Sequence, residues 1–159
     1  MSSSNSSDSG SSHISLSVDE QSDGTVNLIL RAFGDGFCMI GSAYFDTTAV
    51  IDFLSELRRF PLGCDPAPFL SGGYLDDAGK VIVTETLHIS VSQITKSGLL
   101  AMMIRVFSPD PEYWEKGFGH GGRCSYFLNY EDLKKFTDDF ERLIGGKTSC
   151  FEFDRFTRI

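Results

Sequence analysis

The sequence predicts an α+β fold: a predominantly antiparallel sheet of about six to eight strands, in meanders and hairpins, packed against two amphipathic helices. Three observations carry this reading. Apolar residues recur at every second position in several runs separated by Gly-, Asp- and Ser-rich turns, the period with which a pleated strand buries one face. Two stretches, Val50 to Phe60 and Leu133 to Ile144, instead space their apolar residues by three and four, as a helix does. The longest alternating run, Lys80 to Phe107, holds a single turn signal and reads as a long hairpin at the centre of the sheet.

Residues 1–12, MSSSNSSDSGSS, hold eight serines and nothing apolar after Met1. Such a segment buries too little surface to offset its ordering entropy and is expected to be a disordered tail, ahead of one α+β domain over 13–159. Ile14, Leu16 and Val18 alternate with serines as a first strand. The turn Asp19 to Gly24 leads to Val26, Leu28 and Leu30, and Gly34-Asp35-Gly36 turns the chain again into Phe37 to Phe45. Asp46, Thr47 and Thr48 offer capping oxygens to a helix whose apolar face is Val50, Phe53, Leu54, Leu57 and Phe60, with Arg58 and Arg59 in its last turn. Pro61, Pro66, Pro68 and several glycines make 61–80 an irregular connection, with Phe69, Leu70 and Tyr74 tucked under the core.

In the hairpin, Val81, Val83, Leu87, Ile89 and Val91 form an apolar row that only Glu85 breaks. After Thr95-Lys96-Ser97-Gly98 the return strand is apolar on both sides (Leu100, Met102, Ile104 and Val106 alternating with Leu99, Ala101, Met103 and Arg105), so it belongs inside the sheet. Residues Ser108 to Arg123, with two prolines and four glycines, read as a long irregular loop. A strand from Cys124 to Leu128 then meets Asn129 as N-cap, with Glu131 and Asp132 in the first turn. Leu133, Phe136, Phe140, Leu143 and Ile144 form the second apolar face, closed by Gly145-Gly146. Tyr126-Phe127 and this face echo Tyr44-Phe45 and the first helix. Cys150 to Phe156 alternates as a closing strand.

The chain of 159 residues has 41% hydrophobic and 23% charged residues, ordinary for one domain. Fourteen Phe among 13% aromatics point to a core built from rings. A formal net charge of -8 argues against a nucleic-acid backbone as partner and suits a basic protein partner. The four cysteines have no CxxC pair and no histidine at finger spacing, so no metal site is expected. Cys38, Cys124 and Cys150 fall in strand-like runs and read as buried free thiols. With no leader-like start and no apolar run long enough to span a bilayer, the chain reads as cytoplasmic, without membrane contact.

No catalytic constellation emerges, and no cofactor is implied. Gly117 to Gly122 looks like an anion loop, but it precedes a strand and lacks the following Lys-Ser/Thr, so turn chemistry is its reading. His13, His88 and His120 lie far apart, and His88 takes the polar, solvated side of its strand. Glu85 has two readings: a desolvated carboxylate on the core face, or one turned outward by a bulge or paired with Arg105. The loop Asp110-Pro111-Glu112-Tyr113-Trp114-Glu115 differs in kind, because it sets the one Trp and a Tyr among three acids, the composition of an interface anchor. Trp114 as a lid folded over the core is the other reading.

In the order of these elements the chain resembles the WapI-type bacterial immunity proteins of polymorphic and contact-dependent toxin systems. The likeness lies in AVIDFLSELRRF (49–60), GKVIVTETLHIS (79–90) and CSYFLNYEDLKKFTDDFERLI (124–144). The resemblance implies a small cytoplasmic α+β protein, not an enzyme, that neutralises a cognate toxin domain by protein–protein contact. Asp110, Glu112, Tyr113, Trp114 and Glu115 are the expected contact residues. The rival reading is a small-molecule or enzymatic domain with a pocket near Glu85 and His88, and a third is self-association through the sheet.

Overall fold

The computed structural model of the chain describes residues 12–22, 24–75 and 81–157. The predicted tail, save Ser12, and Lys80 at the foot of the hairpin lie outside them. The elements in chain order are β1 (His13–Ser22), β2 (Thr25–Gly34), β3 (Phe37–Asp46), α1 (Thr47–Leu57), β4 (Phe69–Leu75), β5 (Val81–Gln93), β6 (Leu100–Pro109), a single 3-10 turn (Trp114–Lys116), β7 (Gly119–Leu128), α2 (Tyr130–Ile144) and β8 (Cys150–Phe153). All strand pairs are antiparallel, in one eight-stranded sheet ordered β7-β6-β5-β4-β3-β2-β1-β8. The fold is the α+β class that the alternation predicts. As its two apolar faces require, β6 lies inside the sheet between β5 and β7.

Two junctions shape this sheet. β3 and β4 pair only at Tyr44 and Gly73, where the Thr86 hydroxyl, buried on β5, donates to Ser42 O at 2.7 Å and ties the strands together. The second junction is at the outer strands. Thr157, beyond β8, bridges Phe127 of β7, its amide donating to the Phe127 carbonyl at 2.6 Å. The two ends of the meander are thereby joined by one isolated bridge, so the outer side of β7 is covered only near its end. α1 follows the first junction in sequence and α2 leads to the second.

Both helices lay an apolar face on the sheet and touch each other, with Arg58 reaching Asp138 at 2.8 Å and Glu141 at 2.9 Å across the gap. α2 is capped as its sequence requires: Asn129 Oδ1 accepts from the Asp132 amide at 2.8 Å, and Gly146, at φ +74°, ends the helix in the left-handed region. Phe136, fully buried, meets Phe140, Phe151 and Phe153 edge-on, and Phe153 passes the contact through Phe156 to Tyr126. The ring-built core that the Phe content suggests is this chain of contacts, linking α2, β8 and β7.

Several expectations are corrected. Asp46 stands at the N-cap of α1, but its side chain makes no capping bond, and Arg58 and Arg59 follow the helix rather than fill its last turn. Phe60 lies past the helix and is 80% exposed, edge-on to Tyr130, so the echo of the α2 face fails at that position. The irregular connection 61–80 contains β4, and Phe69 is on its outer side, not under the core. The loop expected over Ser108 to Arg123 shrinks to 110–118, because β6 runs to Pro109 and β7 begins at Gly119. There the glycines serve strand pairing: a Cβ at Gly119 would lie 2.4 Å from Ser108 O and 2.7 Å from the Phe107 ring, which covers the strand instead. The regular part of the closing strand ends at Phe153, short of Phe156. Of the cysteines only Cys124 is partly buried; Cys38 and Cys150, like Cys64, are exposed, because each sits on the outward step of its strand or beyond.

Candidate functional site

Two places concentrate chemistry, and the connection 110–118 is the first. Asp110 Oδ1 accepts from the amides of both Glu112 and Tyr113 at 2.9 Å, which holds its carboxyl below the usual carboxylate range. The Asp110 amide donates to Phe118 O at 2.9 Å, closing the loop at its base. Lys116 and Phe118 donate to Tyr113 O, and Gly117 to Trp114 O, with Gly117 at φ +83° where a side chain would be strained. This lattice fixes Tyr113 at 49% and Phe118 at 62% exposure, while the Lys116 ammonium lies 5.9 Å from the Tyr113 ring centre. Trp114 is half-buried and stands apart from the core cluster, so the lid reading is not what the loop adopts.

Asp110, Glu112, Tyr113, Trp114 and Glu115 are therefore brought together on one short, hydrogen-bonded loop. Sequence reasoning missed Phe118, whose signal was a large apolar residue held between two glycines. On β7 a Cβ on Gly122 would sit 2.9 Å from Met39 Sδ, so the β2–β3 hairpin packs against β7. That hairpin adds the exposed Phe37 and Ile40.

The second place is Glu85. Between the pairs Gly72–Leu87 and Tyr74–Val83, β5 carries more residues than β4, and this bulge reverses the alternation so that Thr86 points inward and Glu85 outward. The bulge and the Arg105 pairing both hold. Glu85 Oε1 accepts from Arg105 Nη2 at 2.8 Å, and Oε2 accepts from Ser71 Oγ at 3.2 Å. His88 Nδ1 stays 3.8 Å from Oε2. His88 is not solvated as expected; its ring stacks on Phe69, and its Nδ1, like Arg105 Nε, is buried without a hydrogen-bond partner among the described residues. Burial first, then the Arg105 charge, lowers its pKa, against a smaller pull from Glu85.

Beside this cluster a half-open cleft of about 380 Å³ is lined by Glu85, Arg105, Phe107, Arg123 and the backbone of β5 to β7. His88 does not line it. Among the described residues no three His, Cys, Asp or Glu side chains gather as metal ligands, and no helix is long and apolar enough to cross a membrane. On the opposite side of β7 the Tyr126 hydroxyl donates to Phe33 O at 3.0 Å, and burial holds its phenol protonated well above the usual range. No family model, curated protein or solved structure matches the chain.

Proposed function

We propose that this chain is an immunity-type binding protein that captures a cognate bacterial toxin domain in the cytoplasm and blocks it by direct contact through the 110–118 loop. One observation carries the reading. The loop uses four backbone hydrogen bonds and two caps from Asp110, with a left-handed glycine, to hold Tyr113 and Phe118 out toward water beside Glu112 and Glu115, where folding gains little from them. A preorganised aromatic pair in an acidic rim loses little freedom on binding, and the chain's net charge of -8 speeds encounter with a basic partner. The resemblance to WapI-type immunity proteins points to the same class.

The test is to look beside the gene for a large secreted protein with a toxin-like end, co-express the chain with that C-terminal domain, scoring growth, and measure the complex by calorimetry. Tyr113→Ala with Phe118→Ala should cost about 2 kcal/mol or more in affinity, roughly thirtyfold, while the melting temperature holds. Unchanged affinity in the folded double variant would remove this loop from the interface. A toxin domain that neither binds nor is neutralised would end the reading itself.

A further inference from the structure

The cleft over β5, β6 and β7 has no part in the reading above. We propose that it binds a small aromatic carboxylate, with Arg123 and Arg105 as the cationic anchor and the Phe107 ring as the apolar wall. Arg105 and Arg123 are direct cross-strand partners in the β6–β7 register. Like charges placed opposite one another destabilise a sheet pair unless something answers them. Glu85 answers Arg105 at 2.8 Å, but among the described residues Arg123 has no carboxylate partner. Within a chain of net charge -8, the charged groups lining this cleft are thus two guanidinium ions and one carboxylate.

That balance leaves room for one negative charge. A carboxylate supplies one and matches the planar fork of a guanidinium with two parallel hydrogen bonds, whereas a phosphate monoester brings more charge than the site answers. The body of the ligand is set by the walls. At about 380 Å³ the cleft is in the range of small-ligand sites. Gly121 adds no side chain on the face that carries Arg105, Phe107 and Arg123, and the Phe107 ring reaches to 3.3 Å from where its Cβ would stand. A flat ring can therefore stack on the Phe107 ring that lines the cleft, where an aliphatic chain of equal volume would cover it less well.

The experiment is a ¹⁵N NMR titration of the full chain with benzoate up to about 50 mM, with benzamide and phenyl phosphate as comparators. Saturable shifts of the Arg105, Gly121, Gly122 and Arg123 amides with benzoate and not with benzamide are expected. R123Q should weaken the Kd roughly tenfold, and E85Q, which frees Arg105, should tighten it severalfold. The two variants act in opposite directions, so E85Q carries the test if R123Q does not fold. No saturable shift, equal response to benzamide, an unchanged Kd in both variants, or tighter binding of phenyl phosphate than of benzoate would each overturn the proposal.

Discussion

Gly41, buried on β3, faces β6, and a Cβ built there would lie 2.5 Å from Val106 Cγ1 and 2.9 Å from Val106 Cβ. Gly41→Ala therefore forces at least an ångström of movement, since carbon atoms rest about 3.5–4.0 Å apart. Val106 cannot yield easily. It is β-branched, and its strand is paired on both sides, to Leu87 and to Gly122. Overpacking of this kind costs about 1–3 kcal/mol, and the stiffer unfolded chain of the alanine variant returns about 0.4–1 kcal/mol. The net loss should be about 1–2 kcal/mol, a fall of roughly 2–8 °C in melting temperature for a chain of this size. Urea titration should show a lower midpoint with an unchanged slope. Val106→Ala alone should also destabilise, by about 2 kcal/mol, through lost burial. The double variant decides the matter, because the new methyl then occupies the space that Val106 vacates. Its loss should be about 1 kcal/mol smaller than the sum of the single losses. A neutral or stabilising Gly41→Ala, or full additivity in the double variant, would refute the close approach of β3 and β6.

Thr86→Val removes the donor at the β3–β4 junction and leaves the Ser42 carbonyl without it; a loss of about 1–3 kcal/mol is expected by chemical denaturation, and a neutral result would show that the junction does not depend on this bond. The ring of His88 should titrate by NMR below the ordinary histidine value. Because its folded value is lowered, the unfolded chain takes up the proton first as the pH falls. Stability should therefore decline just below the ordinary histidine value, and His88→Gln should flatten that slope. A titration midpoint at or above the ordinary value would contradict the burial. Asp110→Ala should speed hydrogen exchange at the Glu112 and Tyr113 amides with little change in melting temperature, and unchanged exchange would mean that the cap does not order the loop.

What was legible in the sequence, and what was not, follows from which residues carry side chains into the core. β1, β2 and β6 announce themselves because one face in each is a continuous apolar row, and β5 because its row is interrupted only at Glu85. β4 does not: in FLSGGYL the inward position of Gly72 is empty, since a Cβ there would lie 2.5 Å from the Phe45 ring. β7 hides for the same reason at Gly119 and Gly121, where Phe107 lends the strand its cover. In both, close packing removed the alternation by which a strand is recognised. Glu85 was legible as an interruption, and the bulge that explains it was one of its two readings. The arginine pair of the cleft was not, because register across β6 and β7 depends on a hairpin whose length the glycines concealed. The aromatic–acidic composition of the 110–118 loop was plain, but its hydrogen-bonded rigidity appears only once Asp110 and Phe118 are seen to meet.

The pairing of Ile14 with Phe153 joins parts of the chain that are made almost a full domain apart, and Thr157 then bridges back to Phe127. During synthesis β1 emerges long before its outer partner β8 and meets the cell as an open strand edge, while β7 waits only for the last residues of the domain. Local hairpins can form early, but closure waits for residues 150–157. This order gives the protein a slow last step dominated by distant contacts and a window in which two copies could exchange β8. A variant shortened before Cys150 should then be an aggregation hazard and not merely a less stable monomer, with its exposed edges at β1 and β7.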